Sequence, residues 1–207
     1  MKIAVVYDNE ALEGFKAGWG FACYVESNVR ILFDTGWDGN VLLHNLKKIG
    51  VERFDYIMLS HQHWDHIGGL NHVIDKTEYV VIPSSFSQNL KREISRKAKV
   101  VEVKNAVEIA DRFYSTGNLN GEQSAILESK RGLIVITGCA HPGLDRIVEK
   151  AKEFGKVYAI IGGFHNFDKI EEISKYKLIP CHCTSKKQEI LKLNQSEKCA
   201  AGRIIEF

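Results

Sequence analysis

The chain has few of the features that mark linked, membrane-bound or nucleic-acid-binding proteins. Its 207 residues include three prolines and no Pro/Ser-rich linker, so one domain over residues 1–207 is expected. No apolar run approaches the roughly 18 residues that cross a bilayer. Lys and Arg number 28 against 26 Asp and Glu, a net charge of +2 that argues against a dedicated nucleic-acid binder. These absences favour a soluble protein that acts on a small-molecule substrate, without nucleic-acid or membrane partners.

Cysteine and serine patterns exclude two further classes. Five cysteines form no repeating framework, so a disulfide scaffold is not expected and a reducing, cytoplasmic location is. The apolar run near the N-terminus meets a charge, Asp8, too early for a secretory signal and is expected to be a first strand. No Gly-x-Ser-x-Gly segment occurs, so serine hydrolysis has no support.

Apolar periodicity predicts strands early in the chain and alternating strands and helices later. Strands are predicted at 2–7, 19–26, 29–33, 56–60, 79–82, 100–103, 113–116, 125–128, 133–137, 157–161, 178–180 and 203–206. Helices are predicted at 38–49, from about residue 65, and at 84–97, 144–154, 170–176 and 186–193. This order predicts an α+β fold in which two packed sheets are flanked by helices.

Residues 60–69, Ser-His-Gln-His-Trp-Asp-His-Ile-Gly-Gly, are the most informative segment. His61 and His63 are two residues apart, so in an extended segment their side chains share a face. Asp65 and His66 follow where a helix should begin. Neutral imidazole and carboxylate are ligands for zinc and similar divalent ions. Helix capping by Asp65 would explain the carboxylate but none of the histidines.

Three more histidines follow predicted strands, namely His141, His165 and His182. Sites in α/β architectures assemble at the carboxyl ends of strands, so these residues are expected to join the first cluster. Any one of them alone would be read as a surface histidine. Only His44 and His72 fall outside this pattern, and both are assigned to helices.

The segment His61-Gln62-His63-Trp64-Asp65-His66 resembles the H-x-H-x-D-H motif of metallo-β-lactamase-fold hydrolases, a group that includes glyoxalase II and RNase Z. Asp34 resembles the family's strand-end Asp that supports the metal loop. The segments around His141, His165 and His182, with residues 7–9, resemble a narrower branch, metal-dependent hydrolases of β-lactamase superfamily II. Some members of that branch carry the name 7,8-dihydropterin-6-methyl-4-(β-D-ribofuranosyl)aminobenzene-5′-phosphate synthase.

The resemblance covers essentially the whole chain and implies a four-layer αββα sandwich. It also implies two divalent metal ions, with zinc as the first choice and iron or manganese as alternatives. By position, one ion would be held by His61, His63 and His141, and the other by Asp65, His66 and His182. Many relatives also carry a bridging Asp where this chain has the segment ending in His165. His165 could replace that bridge, act as an acid or base, or bind substrate, and Asp168 lies three residues further on.

The remaining cysteines and charges are given structural roles. Cys181 and Cys183 are expected to be buried structural thiols that point away from His182, and Cys139 could lie near the metal. Cys23 and Cys199 are assigned to the core. The basic segment from Lys91 to Lys99 is expected to be a solvated helix face rather than a phosphate site. A glycine- and aromatic-rich loop at residues 14–20 is placed near the mouth of the site.

The leading hypothesis is a metal-dependent hydrolase that uses metal-activated hydroxide on a small phosphoester, phosphodiester or related ester. Asp65 would bind metal and orient the nucleophile, and His165 would give a proton to the leaving group. Two alternatives stay open: a mononuclear iron dioxygenase, and a metal-binding sensor without turnover. Diiron flavoprotein relatives carry Glu where this chain has His63, which argues against that branch.

Overall fold

Thirteen strands and seven α-helices make up the computed structural model, which describes residues 1–207. The strands are β1 (Lys2–Tyr7), β2 (Ala22–Glu26), β3 (Arg30–Phe33), β4 (Tyr56–Met58), β5 (Tyr79–Pro83), β6 (Lys99–Val103), β7 (Val107–Ala110), β8 (Phe113–Ser115), β9 (Ala125–Ser129), β10 (Gly132–Thr137), β11 (Val157–Gly163), β12 (Lys177–Cys181) and β13 (Ile204–Glu206). The helices are α1 (Gly39–Lys48), α2 (Trp64–Ile67), α3 (Leu70–Val73), α4 (Gln88–Ser95), α5 (Leu144–Ala151), α6 (Ile170–Ile173) and α7 (Lys187–Ile190).

The strands form two mixed sheets. The first has the order β13-β1-β2-β3-β4-β5-β6, and the second has the order β12-β11-β10-β9-β8-β7. Strands β3 to β6 pair in parallel in the first sheet, as do β10 to β12 in the second. Parallel neighbours end at the same edge of a sheet, so the loops after β4, β10, β11 and β12 are placed where a site can form.

Three apolar clusters separate the layers. The central cluster joins the facing sides of both sheets and includes Ile3, Phe33 and Ile136. A second cluster lies between the first sheet and helices α1, α3 and α4, with Leu42 among its fully buried members. The third packs the second sheet against α5, α6 and α7. The predicted α+β, four-layer αββα sandwich is therefore confirmed.

Local departures from the predicted elements have identifiable causes. Strand β7 was not predicted, because it has only four residues, of which Val107 and Glu108 are exposed and Ile109 and Ala110 are partly buried against the central cluster. Helix α4 begins at Gln88 rather than residue 84, since Ser87 is its N-cap and accepts a hydrogen bond from the Leu90 amide at 3.3 Å. No helix has the combined length and apolarity that crossing a bilayer would require.

One disulfide corrects the expectation of free thiols. Cys181, the last residue of β12, is bonded to Cys199, with their Cα atoms 5.2 Å apart. The chain beyond α7 returns along β12, where the Leu178 amide donates to the Gln195 carbonyl at 3.0 Å and brings Cys199 beside its partner. Spacing along the sequence could not reveal this pairing, because it depends on how the last twenty residues fold back.

Candidate metal centre

The six ligands expected from the sequence come together in two groups of three. His61, His63 and His141 form the first triad, and Asp65, His66 and His182 form the second, with the ligand atoms of each group within 4.8 Å of one another. Each triad takes two residues from the segment between β4 and α3, which includes α2, and one from a loop that follows a strand of the second sheet. The centre therefore lies across the junction of the two sheets.

Asp34 anchors one histidine from each triad. Its Oδ2 accepts from Nδ1–H of His66 at 2.7 Å and from the Ser60 hydroxyl at 2.6 Å, and its Oδ1 accepts from the Ser60 amide at 2.7 Å. The Ser60 oxygen in turn accepts from Nδ1–H of His61 at 2.9 Å. Because both Nδ1 atoms carry the proton, Nε2 of His61 and of His66 present lone pairs to the centre.

Glu122 performs the same task for His141 and was missed by the sequence reasoning. Its Oε2 accepts from the ring Nδ1–H of His141 at 2.8 Å and from the His141 amide at 3.0 Å. Its Oε1 accepts from the amides of Cys139 and Ala140 at 2.9 and 2.8 Å. A fully buried carboxylate thus shapes the whole turn after β10 as well as the ligand itself. The isolated Glu in a Gly/Asn-rich loop gave no signal in the sequence.

His182 is held by residues near the N-terminus. Its ring Nδ1 lies 3.0 Å from Oδ1 of Asn9, and its amide donates to the buried Asp8 carboxylate at 2.7 Å. Nε2 of His182 then faces Oδ2 of Asp65 at 3.1 Å. Residues 7–9, noted only through the family resemblance, therefore support the second triad.

This donor set fits a divalent ion of the zinc type. Nε2 of His61 and Nδ1 of His63 lie 3.0 Å apart and turn toward the same point. Four imidazoles have their other nitrogen fixed by an oxygen acceptor, the arrangement that orients metal-ligating histidines. Nitrogen and carboxylate oxygen are the ligands that zinc accepts in catalytic sites.

Burial keeps two of the candidate ligand imidazoles neutral. It lowers the pKa of His61 to about 3 and that of His66 to about 4. A hydrogen bond to Glu122 raises the pKa of His141. Burial opposes ionisation of Glu122, but the hydrogen bond from His141 and the charge of His61 outweigh it and lower its pKa to about 2. Burial raises the pKa of Asp34 to about 7.

The backbone at the site is locally strained. Asp34, Ala140, His165 and His182 adopt positive φ values of 56°, 57°, 46° and 45°, which non-glycine residues rarely occupy. Each lies at or just beyond the end of a strand that leads into the site. Such strain persists where surrounding contacts determine it, and it is concentrated at functional sites.

His165 lies beside His141 of the first triad. Its ring centroid is 4.9 Å from that of His141, and its buried Nδ1 has no hydrogen-bond partner. Asp168 is exposed and belongs to neither group of ligands. The geometry thus gives His165 a free nitrogen near the centre and leaves Asp168 outside it.

Cys183 does not point away from the site as expected. Its sulfur groups with Cys139 and His182, all within 4.8 Å. The expectation relied on strand alternation, but the left-handed backbone at His182 breaks that alternation immediately after β12. Cys139 does lie at the centre, as the sequence suggested, with its sulfur 3.1 Å from Nε2 of His66.

Exposed aromatic side chains surround the mouth. Trp19, in the glycine-rich loop at 14–20, is 58% exposed and packs edge-on against the His182 ring at 4.9 Å. Trp64, between two ligands, is 69% exposed. A cleft of about 240 Å³ adjoins the first triad, and His141, His165 and Lys169 are among its lining residues.

A larger depression of about 860 Å³ lies away from the ligands, at the opposite ends of β3 to β6. Arg96, Lys97 and Lys99 of the 91–99 segment line it, and two of them are paired with acids, Arg96 with Glu93 at 2.7 Å and Lys99 with Glu78 at 2.6 Å. Lys91 is buried and bonds to Glu102. The smaller cleft, which His141 and His165 line, is the one that adjoins the candidate metal centre.

The metal-free chain is expected to lose stability as pH falls from 6.5 to 4.5. In the unfolded chain His61 and His66 become protonated in this range, while in the folded chain they stay neutral until about pH 3 to 4. Asp34 has the opposite effect on stability. With a pKa of about 7 it keeps its proton in the folded chain, whereas in the unfolded chain it has lost that proton. Below about pH 6 the unfolded state therefore binds nearly one more proton, and the slope approaches about 1.4 kcal/mol per pH unit.

Urea unfolding of the chelator-treated protein at pH 6.5 and 5 measures this slope. The exposed His72 provides the control, since His72→Ala should leave the slope unchanged. An unfolding free energy that is equal or higher at pH 5 would contradict the assignment of neutral buried imidazoles.

Known proteins share this fold and sequence. The chain is 27% identical to the uncharacterized protein MJ0448 of Methanocaldococcus jannaschii, covering 98% of this chain and 97% of that protein. It is 26% identical to the 7,8-dihydropterin-6-methyl-4-(beta-D-ribofuranosyl)-aminobenzene-5′-phosphate synthase of the same organism, covering 92% and 90%. The crystal structure of Tm1679, a metal-dependent hydrolase of the beta-lactamase superfamily, superposes with a TM-score of 0.85 and 28% identity, covering 100% and 99%. Since the model of the metallo-beta-lactamase superfamily matches residues 23–145, more than half of the chain, the protein belongs to that superfamily.

Proposed function

We propose that the protein is a hydrolase with two divalent metal ions, zinc first, that acts on a small phosphoester, phosphodiester or related ester. The observation that carries the proposal is the pair of triads, His61, His63 and His141 beside Asp65, His66 and His182, with their free nitrogens converging. When bound, divalent cations supply Lewis acidity and make water nucleophilic near neutral pH. A cytoplasmic location remains part of the proposal.

The chain's own residues supply positioning and proton transfer. His165 offers an unpartnered Nδ1 next to the first triad, where it can give a proton to the leaving group. Asp65 presents Oδ2 between the rings of His66 and His182 and orients the water that attacks. Trp64 and Trp19 shield one side of the mouth and favour a substrate with an apolar or planar part.

The small cleft supports a substrate of limited size. Its lining includes Asp145, Asp168 and Lys169, and Lys169 is paired with Asp145 at 3.1 Å, so the proposed metal ions would supply the positive charge that holds an anionic group. The synthase relative from Methanocaldococcus jannaschii is named for a compound that carries a 5′-phosphate group, which agrees with a phosphate-bearing substrate. That relative is named a synthase and not a hydrolase. We therefore propose bond cleavage at this centre and assign the protein to no pathway.

The test is turnover by the protein reconstituted separately with zinc, manganese or ferrous iron. We expect hydrolysis of a chromogenic phosphodiester or thioester with zinc or manganese. Oxygen uptake with iron alone would instead favour an iron dioxygenase. Stable metal binding without turnover of any ester would favour a sensor and overturn the proposal.

Replacing His165 with alanine is expected to lower kcat by about 10²- to 10⁴-fold while the bound metal is retained, because a proton donor is removed without loss of a ligand. The readouts are kcat on the phosphodiester and the metal content of the same sample. The alkaline limb of the pH–rate profile should also change, because a proton donor must be protonated to act. A merely structural role would not produce this change. His72→Ala is the matched control. Unchanged kcat with metal retained would rule out this role for His165.

A further inference from the structure

A cysteine sulfur lies inside the metal centre and is used by neither triad. Cys139 is 4% exposed, and its Sγ is 3.1 Å from Nε2 of His66. That nitrogen is the ligand atom of His66, since the other ring nitrogen donates to Asp34. A sulfur at this distance faces the same point in space as the second triad.

The turn that carries Cys139 is fixed rather than loose. The amide of Cys139 donates to Glu122 at 2.9 Å. Gly138 packs so closely that a Cβ there would lie 2.2 Å from the Ser60 hydroxyl oxygen, so only glycine allows the turn to rest on the Asp34–Ser60 support. The position of the sulfur therefore follows from the same residues that orient His61 and His66.

Cys139 also occupies the space between the triads. Its sulfur lies within 4.8 Å of ligand atoms of His61 and His66, which belong to different triads. The neighbouring carboxylates of Asp34 and Glu122 are not available as metal ligands in this space, because both oxygens of each already accept hydrogen bonds. Gly163 brings no side chain, and a Cβ there would lie 2.7 Å from the sulfur of Cys183.

The second cysteine is placed less favourably. Cys183 is half-buried, and its sulfur groups with one imidazole, His182, in addition to Cys139. Cys139 is buried and approaches imidazoles of both triads. The comparison singles out Cys139 as the ligand and makes Cys183 a close control.

We propose that Cys139 supplies a sulfur ligand to the ion held by Asp65, His66 and His182. This inference rests on the proposed two-metal function and adds that the second site takes a thiophilic cation. The cation replaces the thiol proton, which is released to solvent, and no electron is transferred. A sulfur ligand selects zinc, cobalt or cadmium over magnesium, manganese or calcium, which prefer oxygen.

X-ray absorption at the zinc edge of the fully loaded wild-type protein tests the ligand directly. Zinc–sulfur scattering occurs at about 2.3 Å, against about 2.0 to 2.1 Å for nitrogen and oxygen. We expect one sulfur for every two zinc ions. In Cys139→Ala that signal should disappear, whereas in Cys183→Ala and Cys23→Ala it should persist. The cobalt-substituted wild type should show a thiolate charge-transfer band, and this band should be lost in Cys139→Ala.

Two results would overturn the inference: a wild-type spectrum with nitrogen and oxygen ligands alone, or a sulfur signal that survives in Cys139→Ala. The wild-type spectrum decides the question even where Cys139→Ala fails to fold. The same measurements distinguish failure of this ligand assignment from failure of the proposed function. A protein that binds two zinc ions and hydrolyses esters without zinc–sulfur scattering keeps its function and loses this ligand, whereas a protein that binds no metal loses both.

Discussion

Glu122→Gln should weaken binding at the first metal site by about 10- to 100-fold and leave the second site nearly unchanged. Both carboxylate oxygens accept two N–H groups each, so the amide of glutamine must face donors in either orientation. The ring of His141 then loses the acceptor that keeps its Nε2 free. Buried donors left without partners should also destabilise the metal-free fold by about 1–3 kcal/mol.

Competition of the protein with a chromophoric zinc chelator measures both affinities, and urea unfolding of the metal-free protein measures the stability. Glu128, exposed on β9, provides the control variant Glu128→Gln. If the first metal site bound zinc equally well in the wild type and in Glu122→Gln, Glu122 would shape only the turn and would not tune His141 as a ligand.

Asp34→Asn should weaken both sites together, because Asp34 orients His66 directly and His61 through Ser60. An amide nitrogen in place of Oδ2 would face the Nδ1–H of His66. The ring then moves its proton to Nε2, where it blocks coordination. We expect a loss of about 10- to 100-fold at each site.

The measurement is the same chelator competition, made at pH 8, above the pKa of about 7 to which burial raises Asp34. Asp111→Asn, at an exposed position, is the control. Weakening at one site alone would contradict the chain of hydrogen bonds from Asp34 through Ser60 to His61. Together, the Glu122 and Asp34 variants separate one-site from two-site effects.

The two supporting carboxylates explain how the metal centre depends on the fold. In each triad the segment after β4, which includes α2, provides two candidate ligands, and a loop of the second sheet provides one, His141 or His182. Bound ions would therefore join the sheets at one edge of their shared core. A ligand that binds only the folded state raises its stability by an amount set by concentration and affinity.

Sequence patterns predicted which side chains come together, because these residues are chemically unusual and repeat one arrangement. His141, His165 and His182 each follow an apolar strand, and parallel strands bring their ends together. The αββα layers followed from the order of strands and helices, although the short strand β7 did not. The resemblance to metallo-β-lactamase-fold hydrolases added the division into two triads.

The supporting residues could not be found in the same way. Glu122 lies in a loop without apolar periodicity, and its role appears only when β9 and β10 place that loop under the turn at Cys139. The direction of Cys183 depends on the positive φ of His182, and the pairing of Cys181 with Cys199 depends on the returning C-terminal segment. These features arise from tertiary packing and from single backbone angles, which sequence patterns do not report.

Zinc stoichiometry in two ligand variants tests the central claim most directly. The account predicts two zinc ions per chain in the wild type and in His72→Ala, one in His141→Ala and one in His182→Ala, measured by elemental analysis after equilibration with excess zinc and gel filtration. The ions remaining in the two ligand variants should differ in affinity, since they occupy different triads. A single zinc ion in the wild type, or two retained in either ligand variant, would contradict a centre built from two triads.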